Sequence, residues 1–71
     1  MEANAVRVPE AVLEGLEGVR RTGLTNMLDR NAVQYWADHF EYFETVVWIE
    51  DNPKLYAEGI FRGFEAETPD E

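Results

Sequence analysis

The sequence predicts an all-α fold, a compact bundle of about four short helices over residues 9–22, 30–39, 43–51 and 53–62. Three observations carry this. Apolar residues recur at helical spacing in one segment after another. Prolines and cap-forming residues stand where helices would begin, and glycines where they would end. The one strand-like run, "TVVWI", is short and has helical neighbours on both sides.

The first helix opens at Pro9, where proline is tolerated best, and Glu10 suits the positive end of the helix dipole. Val12, Leu13, Leu16 and Val19 form one apolar stripe, while Glu10, Glu14 and Glu17 run along another side. Glu17 lies one turn from Arg20 and Arg21, and these two arginines complement the negative end of the dipole. Gly15 and Gly18 each weaken the helix by about 1 kcal/mol relative to alanine. They are expected to admit a closely packed neighbour. Gly23 is placed as a left-handed cap, with Leu24 folding back toward Val19 as in a Schellman motif.

The second helix starts after Asp29, whose carboxylate is expected to accept from the free amide of Asn31 or Ala32. Leu28 and Val33 have the spacing of a hydrophobic staple, and Val33, Trp36, Ala37 and Phe40 form the buried stripe. No glycine or proline separates "NAVQYWADHF" from "EYFETVVWIEDN". Val33, Trp36, Phe40, Phe43 and Val47 keep a 3-4-3-4 spacing that would also suit one long helix. "FETVVWIE" is apolar on too many sides for that, so the reading preferred is a break near His39–Tyr42 and a short third helix surrounded by the others.

The last helix has Asn52 as N-cap and Pro53 as its first residue. Tyr56, Ile60 and Phe64 make one row, with Ala57 and Phe61 beside it, and Gly63 ends the helix. Residues 1–7 show no periodicity and read as a mobile arm; "EAETPDE" reads as a mobile acidic tail. The whole is a single domain, 1–71, with an ordered core of about 9–64.

Composition narrows the function. Six basic and fifteen acidic side chains leave a net charge of −9. Residues 1–30 carry net −1 and residues 31–71 net −8. Such a surface repels phosphate and suits a basic protein partner, mimicry of a polyanion, or high salt. There are no cysteines and no serines, hence no disulfide, thiolate metal site or serine or cysteine nucleophile. The N-terminus is too polar for a signal peptide and no apolar run approaches membrane-spanning length, so a cytoplasmic protein without membrane contact is expected.

"RRTGLTNMLDRNAVQ" and "WIEDNPKLYAEGIFRG" resemble a family of small proteins of unknown function encoded by tailed viruses and prophages. The family pattern opens with IR-x-(S/T)-G-x-TNM-(F/L)-D and closes with (Y/W)IEE-x-(R/P)-x-x-Y-x-x-(F/G)-I-F-x-G. These map onto Val19–Asp29 and Trp48–Gly63, so that the resemblance spans about residues 12–64. Family members carry glycine near position 41, where this chain has Glu41. The resemblance implies a viral or proviral accessory protein in the cytoplasm of an infected cell, and implies no activity.

No constellation in the sequence points to an enzyme, cofactor or metal site. His39 meets Tyr42 and Phe43 at helical spacing, not a carboxylate, and the acids lie along outer helix faces. Two binding readings remain, with a virion or assembly component as a third. In the first, nine aromatics exceed what so small a core requires, and Tyr35, Tyr42 and Trp48 supply a protein-binding surface or a homodimer contact. The chain would then be an acidic inhibitor of a host or defence factor. In the second, Arg20, Arg21, Thr25, Asn26, Arg30, Asn31 and Gln34 form a helix-turn-helix-like DNA contact, a reading the net charge disfavours. Caps and latches absorb Gly23, Leu24, Leu28 and Asp29, leaving Thr25, Asn26 and Met27 without an assigned role.

Overall fold

A computed structural model describes residues 4–67. Strand β1 (Val6–Val8) is followed by α1 (Glu10–Thr22), α2 (Arg30–His39), α3 (Phe43–Asp51), α4 (Pro53–Arg62) and strand β2 (Phe64–Ala66). The all-α reading holds, with helix boundaries that differ from expectation only at Pro9, which caps α1 and does not enter it. Among the described residues no helix is long and apolar enough to cross a membrane.

The two strands correct the expected arm and tail. β1 pairs in parallel with β2, Val6 opposite Phe64 and Val8 opposite Ala66. Alternation turns Val6 and Val8 into the core and Arg7 outward, where it pairs with Glu65 at 3.3 Å. The Glu67 amide extends the ladder by donating to the Val8 carbonyl. The remainder of the expected mobile ends, residues 1–3 and 68–71, lies outside the described residues.

Val12, Leu16 and Val19 of α1, Val33 and Ala37 of α2, Ile49 of α3 and Tyr56 of α4 join the two β1 valines in one core. The α1 glycines set its tightest joint. A Cβ at Gly15 would overlap the Thr45 hydroxyl, and one at Gly18 would stand 2.5 Å from the Tyr42 hydroxyl. With no side chain in the way, fully buried Thr45 donates to the Val12 carbonyl at 3.2 Å. The expected close approach at both glycines is therefore present, and its partner is the start of α3.

Three local devices differ from expectation. Gly23 does take the left-handed conformation, but the Thr22 hydroxyl replaces the second bond of a Schellman motif by donating to the Val19 carbonyl and accepting from the Leu24 amide. Leu24 stays exposed. The full motif forms instead at the end of α2, where the Tyr42 amide reaches the Ala37 carbonyl and the Glu41 amide reaches that of Asp38. This puts Glu41 at φ 67, the left-handed position that favours glycine, and breaks the would-be long helix into α2 and α3. Asn52, finally, makes no side-chain cap for α4; its amide donates to the Trp48 carbonyl and closes α3.

The buried faces are narrower than predicted. Leu28 is 62% exposed, so no staple closes onto Val33, and Phe40 lies at the edge of the α2 stripe. The third helix is not surrounded: Thr45 and Ile49 are buried, whereas Phe43 and Val47 face outward. Phe61, expected beside a packed row, is 84% exposed.

Candidate protein-docking surfaces

Along α2, Val33 and Ala37 are committed to the core. Gln34 is held against α3, its amide donating to the Val46 carbonyl and the Glu50 carboxylate at 3.2 Å each. The outer side is left with Tyr35, Asp38 and His39, and with half-buried Trp36. Their rings connect. Tyr35 meets Trp36 edge-on at 5.1 Å between centroids, Trp36 meets His39 at 5.4 Å, and Trp36 stacks on Phe40 at 5.9 Å. Phe40 continues to Tyr42 at 6.5 Å. The chain turns sharply at Glu41, which brings Tyr42 back beside Phe40 while its ring rests on Gly18. Tyr35 and Tyr42, both singled out in the sequence, thus belong to one run of rings. The exposed carboxylates Asp38 and Glu41 flank it in the chain.

The loop between α1 and α2 gives a role to two of the three residues that caps left over, Asn26 and Met27. Asn26 closes a turn on itself: its Oδ1 accepts from the Leu28 amide at 2.9 Å and its carbonyl from the Asp29 amide. Asp29 in turn caps α2 by accepting from the Ala32 amide, one of the two donors expected. Met27 packs on the core, and its carbonyl accepts the Tyr56 hydroxyl at 2.5 Å. Burial, reinforced by the nearby Asp29 carboxylate, pushes the Tyr56 phenol up to about 12. Thr25 is half-buried. Asn26 Oδ1 and the Gln34 amide are therefore both engaged in bonds to the chain's own groups.

Arg20, Arg21 and Arg30 divide into one that is paired and two that line grooves. Arg21 pairs with Glu17 at 3.9 Å, as helical spacing allowed. Arg20 and Arg30 are exposed, and among the described residues neither has a carboxylate within ion-pair distance. Each lines an apolar groove beside α4. Arg20 stands with Leu13, Met27, Ile60 and Phe64, and Arg30 with Leu28, Tyr56, Ile60 and Phe61.

Trp48 lies apart from the other candidates. Its ring meets Phe64 edge-on at 6.2 Å, and it helps line a third groove with Ala11, Phe43 and Val47. Sequence reasoning missed the outward-facing Leu28, Phe43, Val47 and Phe61. The signal for two of them was present: the all-round apolarity of "FETVVWIE" marked exposure, not enclosure.

Residues 8–64 match the family described as "Domain of unknown function (DUF5049)". No curated protein and no solved structure matches the chain.

Proposed function

The chain belongs to the DUF5049 family of domains of unknown function, and on that premise we propose that it works without catalysis, by binding another protein. The observation that carries this reading is the run of rings from Tyr35 through Trp36 and Phe40 to Tyr42 at the outer end of α2. Aromatic side chains combine large contact area with few rotatable bonds, which is why they concentrate in binding hot spots. Asp38 and Glu41 beside them, and the net charge of −9, favour a partner with a basic surface. Blocking a basic host or defence factor fits this chemistry. The resemblance of "TNMLD" to viral and proviral proteins supports an accessory role in the cytoplasm of an infected cell, and the number of aromatics supports self-association as well.

The competing DNA-regulator reading has less support, because Asn26 and Gln34 are occupied by internal bonds and the charge opposes phosphate. Affinity capture from the native host, followed by titration of the captured protein, tests the proposal. The expected result is a stoichiometric complex with a basic protein that a Tyr35→Ala, Phe40→Ala double variant weakens at least about tenfold, with its thermal melt retained. Equal binding by the double variant would remove the aromatic surface from the mechanism. DNA binding at low salt that falls steeply with added salt would favour the regulator instead.

A further inference from the structure

Two of the apolar grooves carry opposite charge. In the groove beside α4, Leu28, Ile60 and Phe61 lie with the Arg30 side chain, and Arg20 stands on the other side of Ile60. Glu17 also reaches this region, but it faces Arg21 at 3.9 Å. On the outer side of α3, Phe43 and Val47 lie with the carboxylates Glu44 and Asp51 and with no cation. Large apolar side chains are exposed at both places: Phe61 is 84% exposed, Leu28 62%, Val47 58% and Phe43 56%. Contiguous apolar surface with charged rims is the anatomy of an interface, and here the two rims complement each other.

The grooves beside α4 and the one on α3 share no lining residue, so the two contacts draw on separate sets of side chains.

We propose that a second copy of this chain seats its α3 edge, Phe43 and Val47, against Leu28, Ile60 and Phe61 of the first, with Glu44 and Asp51 meeting Arg20 and Arg30. The contact is heterologous: the two copies use different surfaces, so each added copy presents a fresh groove. Association therefore runs head to tail and does not stop at a twofold dimer through this surface.

Sedimentation of the full chain over a wide concentration range, with Phe61→Asp and Val47→Asp variants, tests this. Both side chains are more than half exposed, and a thermal melt checks that each variant keeps its fold. The wild type is expected to grow in average mass beyond a dimer as concentration rises. Each variant alone loses at least about tenfold in self-affinity, because one of its two faces is blocked. Mixed in equal amounts, the variants form a one-to-one dimer and nothing larger, since each supplies the face the other lacks. Charge exchange gives a second line independent of the apolar substitutions. Arg30→Glu and Glu44→Arg each weaken association, and combining them in one chain restores it. A wild type that stays monomeric, variants that associate normally, or a mixture that remains monomeric would each overturn the proposal.

Discussion

At the residue scale, Tyr56 ties the α1–α2 loop to α4 by a single hydroxyl, and this makes the joint sensitive to alkali. Its phenol is held at about 12 against an ordinary 10.0, by burial first and by the Asp29 carboxylate second. A folded-state value above the unfolded one means the neutral form is favoured on folding. The stabilisation is therefore complete below pH 10 and lost as pH rises toward 12. Urea unfolding between pH 7 and 12 should show a loss of up to about 3 kcal/mol from this group. Tyr56→Phe should cost about 1 kcal/mol at neutral pH, through the lost bond to the Met27 carbonyl, and should flatten the alkaline limb relative to the wild type. An alkaline limb of equal steepness in the variant would assign the effect to other groups. At this scale the sequence was legible for residues whose partners lie within four positions, such as Asp29 with Ala32 and Glu17 with Arg21. It misassigned the loop's apolar residues. Leu24 and Leu28 were expected to pack and are exposed, while unassigned Met27 packs on the core, because the path of a seven-residue loop depends on α4, which no local spacing records.

At the element scale, the decisive feature is the turn that divides residues 30–51 into two helices. The same apolar spacing serves one long helix or two short ones, so periodicity alone did not choose. What chooses is the Schellman motif at the end of α2, closed by the Tyr42 amide on the Ala37 carbonyl. It needs a left-handed residue, and this chain supplies Glu41 at φ 67, a conformation that favours glycine. A non-glycine side chain in that conformation costs about 1–2 kcal/mol, partly offset in a glycine variant by the entropy glycine loses on folding, roughly 0.5–1 kcal/mol. Glu41→Gly should therefore stabilise the fold by about 0.5–1 kcal/mol and raise the thermal midpoint by a few degrees, as read by circular dichroism. A lower midpoint would mean that the Glu41 side chain contributes more than its backbone strain removes. The start of α3 was legible in a different way. Gly15 and Gly18 announced a close contact on α1, yet the sequence did not say with what, since the partner residues Tyr42 and Thr45 lie more than twenty positions away.

At the scale of the whole molecule, four short helices cannot each be covered on more than one side, and this governs both the core and the candidate surfaces. Helical periodicity identifies which face of an element is apolar, but not how many neighbours remain to cover it. Phe43, Val47 and Phe61 are outward for that reason, as are Tyr35 and Phe40. The chain compensates for its small helical core with a closure that the sequence concealed. Val6 and Val8 sit in a three-residue strand whose partner lies fifty-eight positions away, too short for a periodic signal and too distant for a local one. Fully burying a valine contributes about 1.5–3 kcal/mol, so the two β1 valines together account for roughly 3–6 kcal/mol. A domain of this size has a total stability on the order of 4–11 kcal/mol. Deleting the chain through Val8 should accordingly remove most of the cooperative thermal transition, in contrast to the small effect expected for a frayed arm. Arg7→Ala is the control. It removes only the exposed pair with Glu65, worth about 0–1 kcal/mol, and should leave the transition intact. A truncated chain that melts like the full-length protein would show that the α1–α4 core stands without β1, and that the strand pair merely rests on a bundle already complete.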